Sequence, residues 1–173
     1  MKASIIIATT ERETLPWVLD SILKQRAFKS DSVEILVIRD GVWKKQPKDQ
    51  PGMVFLETGK KVYAAGARNW GIEKAAGERI IFINDDTAPE GAWLEPHLEA
   101  ESIMLGQIKW VKKLETNRFH AWLERNAQFD FGRLNVGEKP TWKHFYTSNI
   151  SAPKSLINQA GGFDLGFEGW GFE

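Results

Sequence analysis

Cysteine is absent from the chain. That excludes disulfide stapling and thiolate chemistry, and it suits a reducing compartment. Net charge is lacking too: Lys plus Arg equal Asp plus Glu at 23 each, and basic residues gather only in pairs such as Lys44-Lys45, Lys60-Lys61 and Lys112-Lys113. No field favours DNA or RNA, so nucleic acid is not an expected partner. Long apolar runs are missing. The opening Met1-Lys2-Ala3-Ser4 enters a stretch of about five apolar residues, too short for a signal segment or a membrane span. A cytoplasmic location is therefore the expectation. The three histidines, His97, His120 and His144, lack metal-ligand spacing and read as structural or exposed. There is no internal repeat, low-complexity tract or linker, so the 173 residues are read as a single domain able to bury a core.

What is present is alternation. Residues 4–8 form a β-branched run and read as a central strand. Apolar residues then recur at helical spacing, which predicts a helix over 14–25 with Pro16 in its first turn. Residues 33–38 read as a second buried strand, and this beginning predicts a right-handed parallel crossover. Residues 44–52 read as a loop and 53–56 as a short strand. A helix is expected over 64–76, closed by Gly77 as its left-handed cap. Helix is also predicted over 93–105, a strand over 108–114, helical periodicity over 118–131, extended chain over 142–152, and a short helix over 153–160. Strands alternating with helices give an α/β fold: a mostly parallel central sheet with helices on both faces. Trp17, Trp70, Trp93 and Trp122 are read as packing residues.

The most informative stretch is Arg79-Ile80-Ile81-Phe82-Ile83-Asn84-Asp85-Asp86-Thr87. Four apolar residues in a row suggest a strand buried on both faces. The run ends in two carboxylates and a carboxamide. Desolvating such charges costs several kcal/mol unless a cation or donors meet them. Either a positive ion binds there, or Arg or Lys neutralises the pair. Ligands of α/β sheets bind at the carboxyl ends of strands, which would collect Thr9, Asp40 and Asp85/Asp86 on one edge. The turn after the first strand, Thr9-Thr10-Glu11-Arg12-Glu13, has no glycine, so neither a dinucleotide fingerprint nor a Walker loop is present. Any phosphates would have to be held another way: acidic residues at a strand end can bind Mg2+ or Mn2+, which takes phosphate oxygens, and Arg68 can offer charge-assisted bonds. An ionised Asp40 can accept from the N–H of a base or from a ribose hydroxyl.

Five blocks carry a resemblance. Residues 4–10, 33–41, 66–72 and 82–87 follow the order of the family 2 glycosyltransferases of GT-A fold. Asn149, Gly161-Gly162-Phe163-Asp164 and Gly169-Trp170-Gly171-Phe172-Glu173 are similar to the acceptor region of galactosyl- and N-acetylgalactosaminyl-transferases. The resemblance implies an inverting transfer of a hexose or N-acetylhexosamine from a UDP-sugar donor to a glycan or other hydroxyl acceptor, of the kind used in polysaccharide biosynthesis. It implies Mn2+ or Mg2+ as cofactor, held by Asp86 at the last position of an Asp-X-Asp element. Thr9, Glu11, Asp40, Arg68, Asn84 and Asp85 are the implied nucleotide-sugar-binding residues. Asn149 and Trp170 are the implied acceptor-binding residues. Residues 1–105 would form the donor half and 106–173 the acceptor half.

Three departures follow from the same comparison. Asn84 replaces the first Asp of the element. Thr10 stands where an aromatic often stacks on uracil. Glu173 matches the Glu of a Glu-Asp pair whose following Asp is the usual base, which leaves Glu173 as the implied catalytic carboxylate of a chain cut short. The alternative expectation is a non-catalytic nucleotide-sugar or glycan-binding domain, or an inactive fragment.

Overall fold

The computed structural model describes residues 1–29, 31–111, 118–126, 134, 137–139 and 141–167. Its centre is β1 (Ala3–Thr9), whose side chains are nearly all buried. To one side lie β2 (Val33–Arg39) and β3 (Met53–Glu57), and to the other β4 (Arg79–Ile83), all parallel. Two further strands complete six: β5 (Met104–Leu105) and β6 (Asn149–Pro153), in the order β3-β2-β1-β4-β6-β5. β6 runs antiparallel to both β4 and β5.

Period-two alternation explains why these strands are apolar throughout. Ile5, Ile7, Ile35, Val37, Ile81 and Ile83 face one side. There they meet Leu15, Val18 and Ile22 of α1 (Leu15–Leu23) and Leu94 of α3 (Leu94–Glu99). Ile6, Leu36, Ile38, Ile80 and Phe82 face the other. They meet Ala65, Ala67 and Ile72 of α2 (Tyr63–Lys74) and Ile157 of α5 (Lys154–Ala160). Fully burying one such side chain is worth roughly 1.5–3 kcal/mol. Gly71 lets α2 lie flat on the sheet, since a Cβ there would stand 2.7 Å from Ile6 Cγ2.

Five expectations change. Gly77 is not a left-handed cap. The chain leaves α2 at Ala75 in an extended conformation (φ −63°, ψ 129°), and Gly77 instead passes so close to β1 that a Cβ would strike the backbone of Ala3 and Ser4. The helix expected over 93–105 stops at Glu99. The Arg79 guanidinium takes the carbonyl oxygens of Ala100 and Ser102, which turns the chain into β5. Residues 142–152 are not all extended: a single 3-10 turn, Trp142–His144, precedes β6. Residues 108–111 form no strand, and 112–114 lie outside the described residues. Of the helix expected over 118–131, α4 (Arg118–Asn126) is described and 127–131 lie outside. Trp17 and Trp122 are exposed rather than packed. Among the described residues no helix is long and apolar enough to cross a membrane.

A buried polar chain ties β6 to the rest. Arg79 Nη1 donates to Ser151 Oγ at 3.0 Å, and Ser151 Oγ lies 2.9 Å from His97 Nδ1. His97 Nε2 lies 3.0 Å from Asn149 Oδ1, which also accepts from Trp93 Nε1 at 2.7 Å. Asn149 Oδ1 accepts, so His97 Nε2 carries a proton, and a neutral ring lets Nδ1 accept the Ser151 hydroxyl. The ring is 1% exposed, and burial, with the Arg79 charge beside it, pushes its pKa down to about 4. The unfolded chain takes up a proton near pH 6.5 and the folded chain does not, so stability is complete above that pH and falls below it. Chemical denaturation should show about 2 kcal/mol lost by pH 5 through this group alone. The variant H97Q should be less stable at pH 7.5 and show a flatter decline to pH 5. An equal decline in both proteins would contradict the assignment.

Candidate functional site

The carboxyl ends of β1, β2 and β4 share one edge of the sheet because the three strands are parallel. Asp40 follows β2 directly, and its N–H donates to the Thr9 carbonyl at 2.9 Å. Thr9 Oγ1 donates to Asp85 Oδ2 at 2.6 Å, joining residues 76 positions apart. Asp85 is 6% exposed. Burial raises its pKa, against the lowering influence of the Thr9 hydrogen bond and the Arg12 charge. Thr14 Oγ1 donates to the Asp85 carbonyl at 2.7 Å, so two threonines hold this residue from the β1 side.

The cation that the acidic strand end requires is Arg12. Its Nη1 lies 2.7 Å from Asp86 Oδ2, and its Nε lies 3.4 Å from Asp85 Oδ1. Sequence reasoning posed the choice between a metal and a basic side chain but did not single out Arg12. The signal was its place in the glycine-free turn after β1, on the same edge as the carboxylates. Glu11, beside it, has φ +66°, a left-handed conformation that a non-glycine residue adopts only when held. Its carboxylate accepts from Arg39 Nε at 2.8 Å and from the Lys44 N–H at 3.1 Å, and its own N–H donates to Thr9 Oγ1 at 2.9 Å. The hydrogen bond from Arg39 holds the Glu11 carboxyl below its ordinary pKa. Glu11 thus braces the turn.

Arg68 reaches the edge from α2. It is buried, its Nη2 lies 3.5 Å from Asn84 Oδ1, and its guanidinium sits 5.6 Å from the centre of the Phe163 ring. Burial pulls its pKa down to about 10, with the Asp85 charge acting the other way, so it stays cationic at neutral pH. Asn84 Nδ2 donates to Ser148 Oγ at 2.9 Å. Asp40 Oδ1 accepts the Val62 N–H at 2.6 Å, which joins the end of β2 to the start of α2.

Beyond Asp86 opens a cavity of about 840 Å3. It runs from Asn84, Asp86 and Ser148 on the sheet edge to Trp17, Trp93 and Trp110. Asn149 also lines it, but its carboxamide is engaged by Trp93, His97 and the Gln107 carbonyl, the last at 3.1 Å. Asn149 therefore shapes the wall and fixes Trp93. Trp170 and Glu173 lie outside the described residues.

The donor set suits a hard divalent cation: Asp86 offers a half-exposed carboxylate at the cavity mouth, with the Asp85 carboxylate beside it. Among the described residues, no three His, Cys, Asp or Glu side chains gather closely enough to cage a metal. Oxygen atoms of a bound ligand would have to complete the shell. The charge count agrees. Arg12 and Arg68 answer Asp85 and Asp86, so an added diphosphate would need a further cation.

The family model for glycosyl transferase family 2 matches residues 4–157. Comparison with curated protein sequences yields no match. Among solved structures, residues 1–349 of S. aureus TarS superpose with a TM-score of 0.70 at 17% identity, covering 94% of this chain and 50% of that one. The same protein in complex with UDP-GlcNAc gives 0.67 at 18% identity, covering 94% and 48%. The mannosyltransferase PcManGT from Pyrobaculum calidifontis, in complex with GDP-Man and Mn2+, gives 0.66 at 15% identity, covering 95% and 48%. At these identities the likeness is one of fold. The chain spans about half the length of these structures.

The Thr9–Asp85 contact has a measurable consequence. Replacing Thr9 by Val keeps its shape but leaves a buried carboxylate one donor short, which costs roughly 1–3 kcal/mol. Urea denaturation should place T9V lower by that amount and T9S near wild type. A T9V protein as stable as wild type would show the contact to be dispensable.

Proposed function

Because the chain belongs to glycosyl transferase family 2, we propose that it binds a nucleoside-diphosphate sugar, UDP-linked, across the carboxyl ends of β1, β2 and β4. It moves a hexose or N-acetylhexosamine from that donor to a hydroxyl of a glycan or other acceptor, with inversion at the sugar carbon. The observation that carries this reading is the meeting of Thr9, Asp40, Arg68, Asp85 and Asp86 on one edge, beside a tryptophan-lined cavity. The ligands named for the similar structures, UDP-GlcNAc and GDP-Man with Mn2+, support the donor class.

Each residue has a role in this reading. Asp40, with one oxygen on the Val62 N–H, has acceptor capacity left for a base N–H or a ribose hydroxyl. Thr9 and Asp85 form the floor of the pocket. Arg68 donates to the diphosphate and stabilises the charge that grows there as the sugar leaves. Asp86 would hold Mn2+ or Mg2+, and a bound ion would supply Lewis-acid stabilisation of negative charge on the diphosphate. The cavity beyond Asp86 takes the sugar, with Trp93 and Trp110 offering flat faces to its ring. A carboxylate at or beside Glu173 takes the proton of the acceptor hydroxyl; general bases contribute about 10²–10⁴-fold. Residues 1–105 serve the donor and 106–173 the acceptor.

Asn84, where an acid is expected, favours a second reading in which the domain binds a nucleotide sugar without transferring it. Release of UDP in the presence of acceptor separates the two.

Calorimetry with UDP-GlcNAc and UDP-galactose should show binding that weakens roughly tenfold or more on removal of divalent metal or in D86A, the order expected when a charge-assisted contact of 1.5–3 kcal/mol is lost. Affinity indifferent to both EDTA and D86A would sink the metal assignment.

A further inference from the structure

Arg12 occupies one carboxylate oxygen of Asp86, Oδ2, while Thr87 Oγ1 lies 3.5 Å from the other. A guanidinium nitrogen 2.7 Å from Asp86 Oδ2 lies where a divalent cation on that oxygen would have to approach. We propose that Arg12 is a stand-in counter-ion: a divalent cation displaces it from Asp86, and the nucleotide's diphosphate then receives it, so metal and nucleotide bind cooperatively. The proposal rests on the nucleotide-sugar reading of the site.

The two halves of the ion cluster differ in freedom. Asp85 is buried and fixed by Thr9 and Thr14. The Arg12 and Asp86 side chains are 41% and 40% exposed, so both can move into solvent. The turn beneath Arg12 is held apart from this movement. Glu11 locks it through Arg39, the Lys44 N–H and Thr9 Oγ1. The side chain can therefore swing while its backbone stays. Its long stem and planar fork suit a bidentate bond to phosphate oxygens as well as to carboxylates.

Charge decides the order of events. Metal alone must break the Arg12–Asp86 pair and leave the guanidinium beside a divalent cation. Diphosphate alone adds negative charge to an edge that already carries Asp40, Asp85 and Asp86. Together, the cation offsets the diphosphate and the displaced guanidinium gains a phosphate partner. Cooperativity arises from the displaced side chain, and by linkage the metal must tighten nucleotide as much as the nucleotide tightens metal.

The test uses Mn2+ and UDP, with GDP in parallel, on the whole chain. Mn2+ binding is read by electron paramagnetic resonance and nucleotide binding by calorimetry. In wild type, Mn2+ alone should bind weakly and UDP should tighten it. In R12Q, Mn2+ alone should bind roughly fivefold tighter than in wild type, the scale of one exposed ion pair. The tightening by UDP should shrink by the same or a larger factor. R12K, which keeps a charge but cannot span both carboxylates, should fall between, and it carries the comparison should R12Q not fold. R12Q binding Mn2+ no tighter than wild type, or keeping the full UDP effect, overturns the proposal. Should wild type bind neither UDP nor GDP with Mn2+ present, the nucleotide-sugar reading fails. The Mn2+-only comparison still decides whether Arg12 is the displaced counter-ion.

Discussion

A buried carboxylate must be met by donors or cations, and Asp85 places that demand at the end of β4. The local structure follows from it. Thr9 supplies a hydroxyl at 2.6 Å, so β1 must end opposite β4 and in register with it. Thr14 takes the Asp85 carbonyl, so α1 must begin within a few residues of that point. The turn between them has to fold back over the acids, and Arg12 comes with it. Glu11 adopts its left-handed backbone because the turn cannot otherwise be so tight. One desolvated charge thus orders two strand ends, a helix start and the strained residue between them.

The other side of β4 is governed by neutrality instead. β6 lies antiparallel beside it, and the chain from Arg79 through Ser151 and His97 to Asn149 and Trp93 is satisfied only while His97 carries no charge. Every polar group in that chain has a partner, and the result is a fixed wall for the cavity beyond Asp86. The site therefore joins an electrostatically poised floor to a rigid polar wall. Arg12 and Asp86 are the exposed half of the ion cluster, and Asp85 the buried half.

Much of this was legible in the sequence where burial is two-sided. β1, β2 and β4 are continuous apolar runs because helices cover both faces, and such runs need no tertiary knowledge to read. The edge shared by Thr9, Asp40 and Asp85 followed from parallel topology alone. The errors fall where a distant partner decides. Helical periodicity continued past Glu99, but Arg79, some twenty positions earlier, takes the carbonyls that the helix would have used. Gly77 looked like a cap because caps are local, whereas its reason is the passage against β1. Trp17 and Trp122 read as core because tryptophan usually is, but they stand exposed. Asn149 lines the cavity, and its amide is also engaged by three partners within the wall, which no local pattern announces.

Asn84 gains a physical reason from this geometry. Its Oδ1 touches Arg68 only at a long 3.5 Å, and its Nδ2 holds Ser148. An aspartate there would add a third carboxylate to the strand end, already served by Arg12 and Arg68. It would also pair with the buried Arg68 by charge, which is a far stronger hold than an amide's. The amide adds no charge to the strand end, which keeps its two carboxylates beside the two guanidiniums. In a site proposed to receive a diphosphate that balance matters, because a third carboxylate would repel the incoming negative charge. Under the proposed reading, an amide at this position lowers the repulsion that a diphosphate would meet at the strand end.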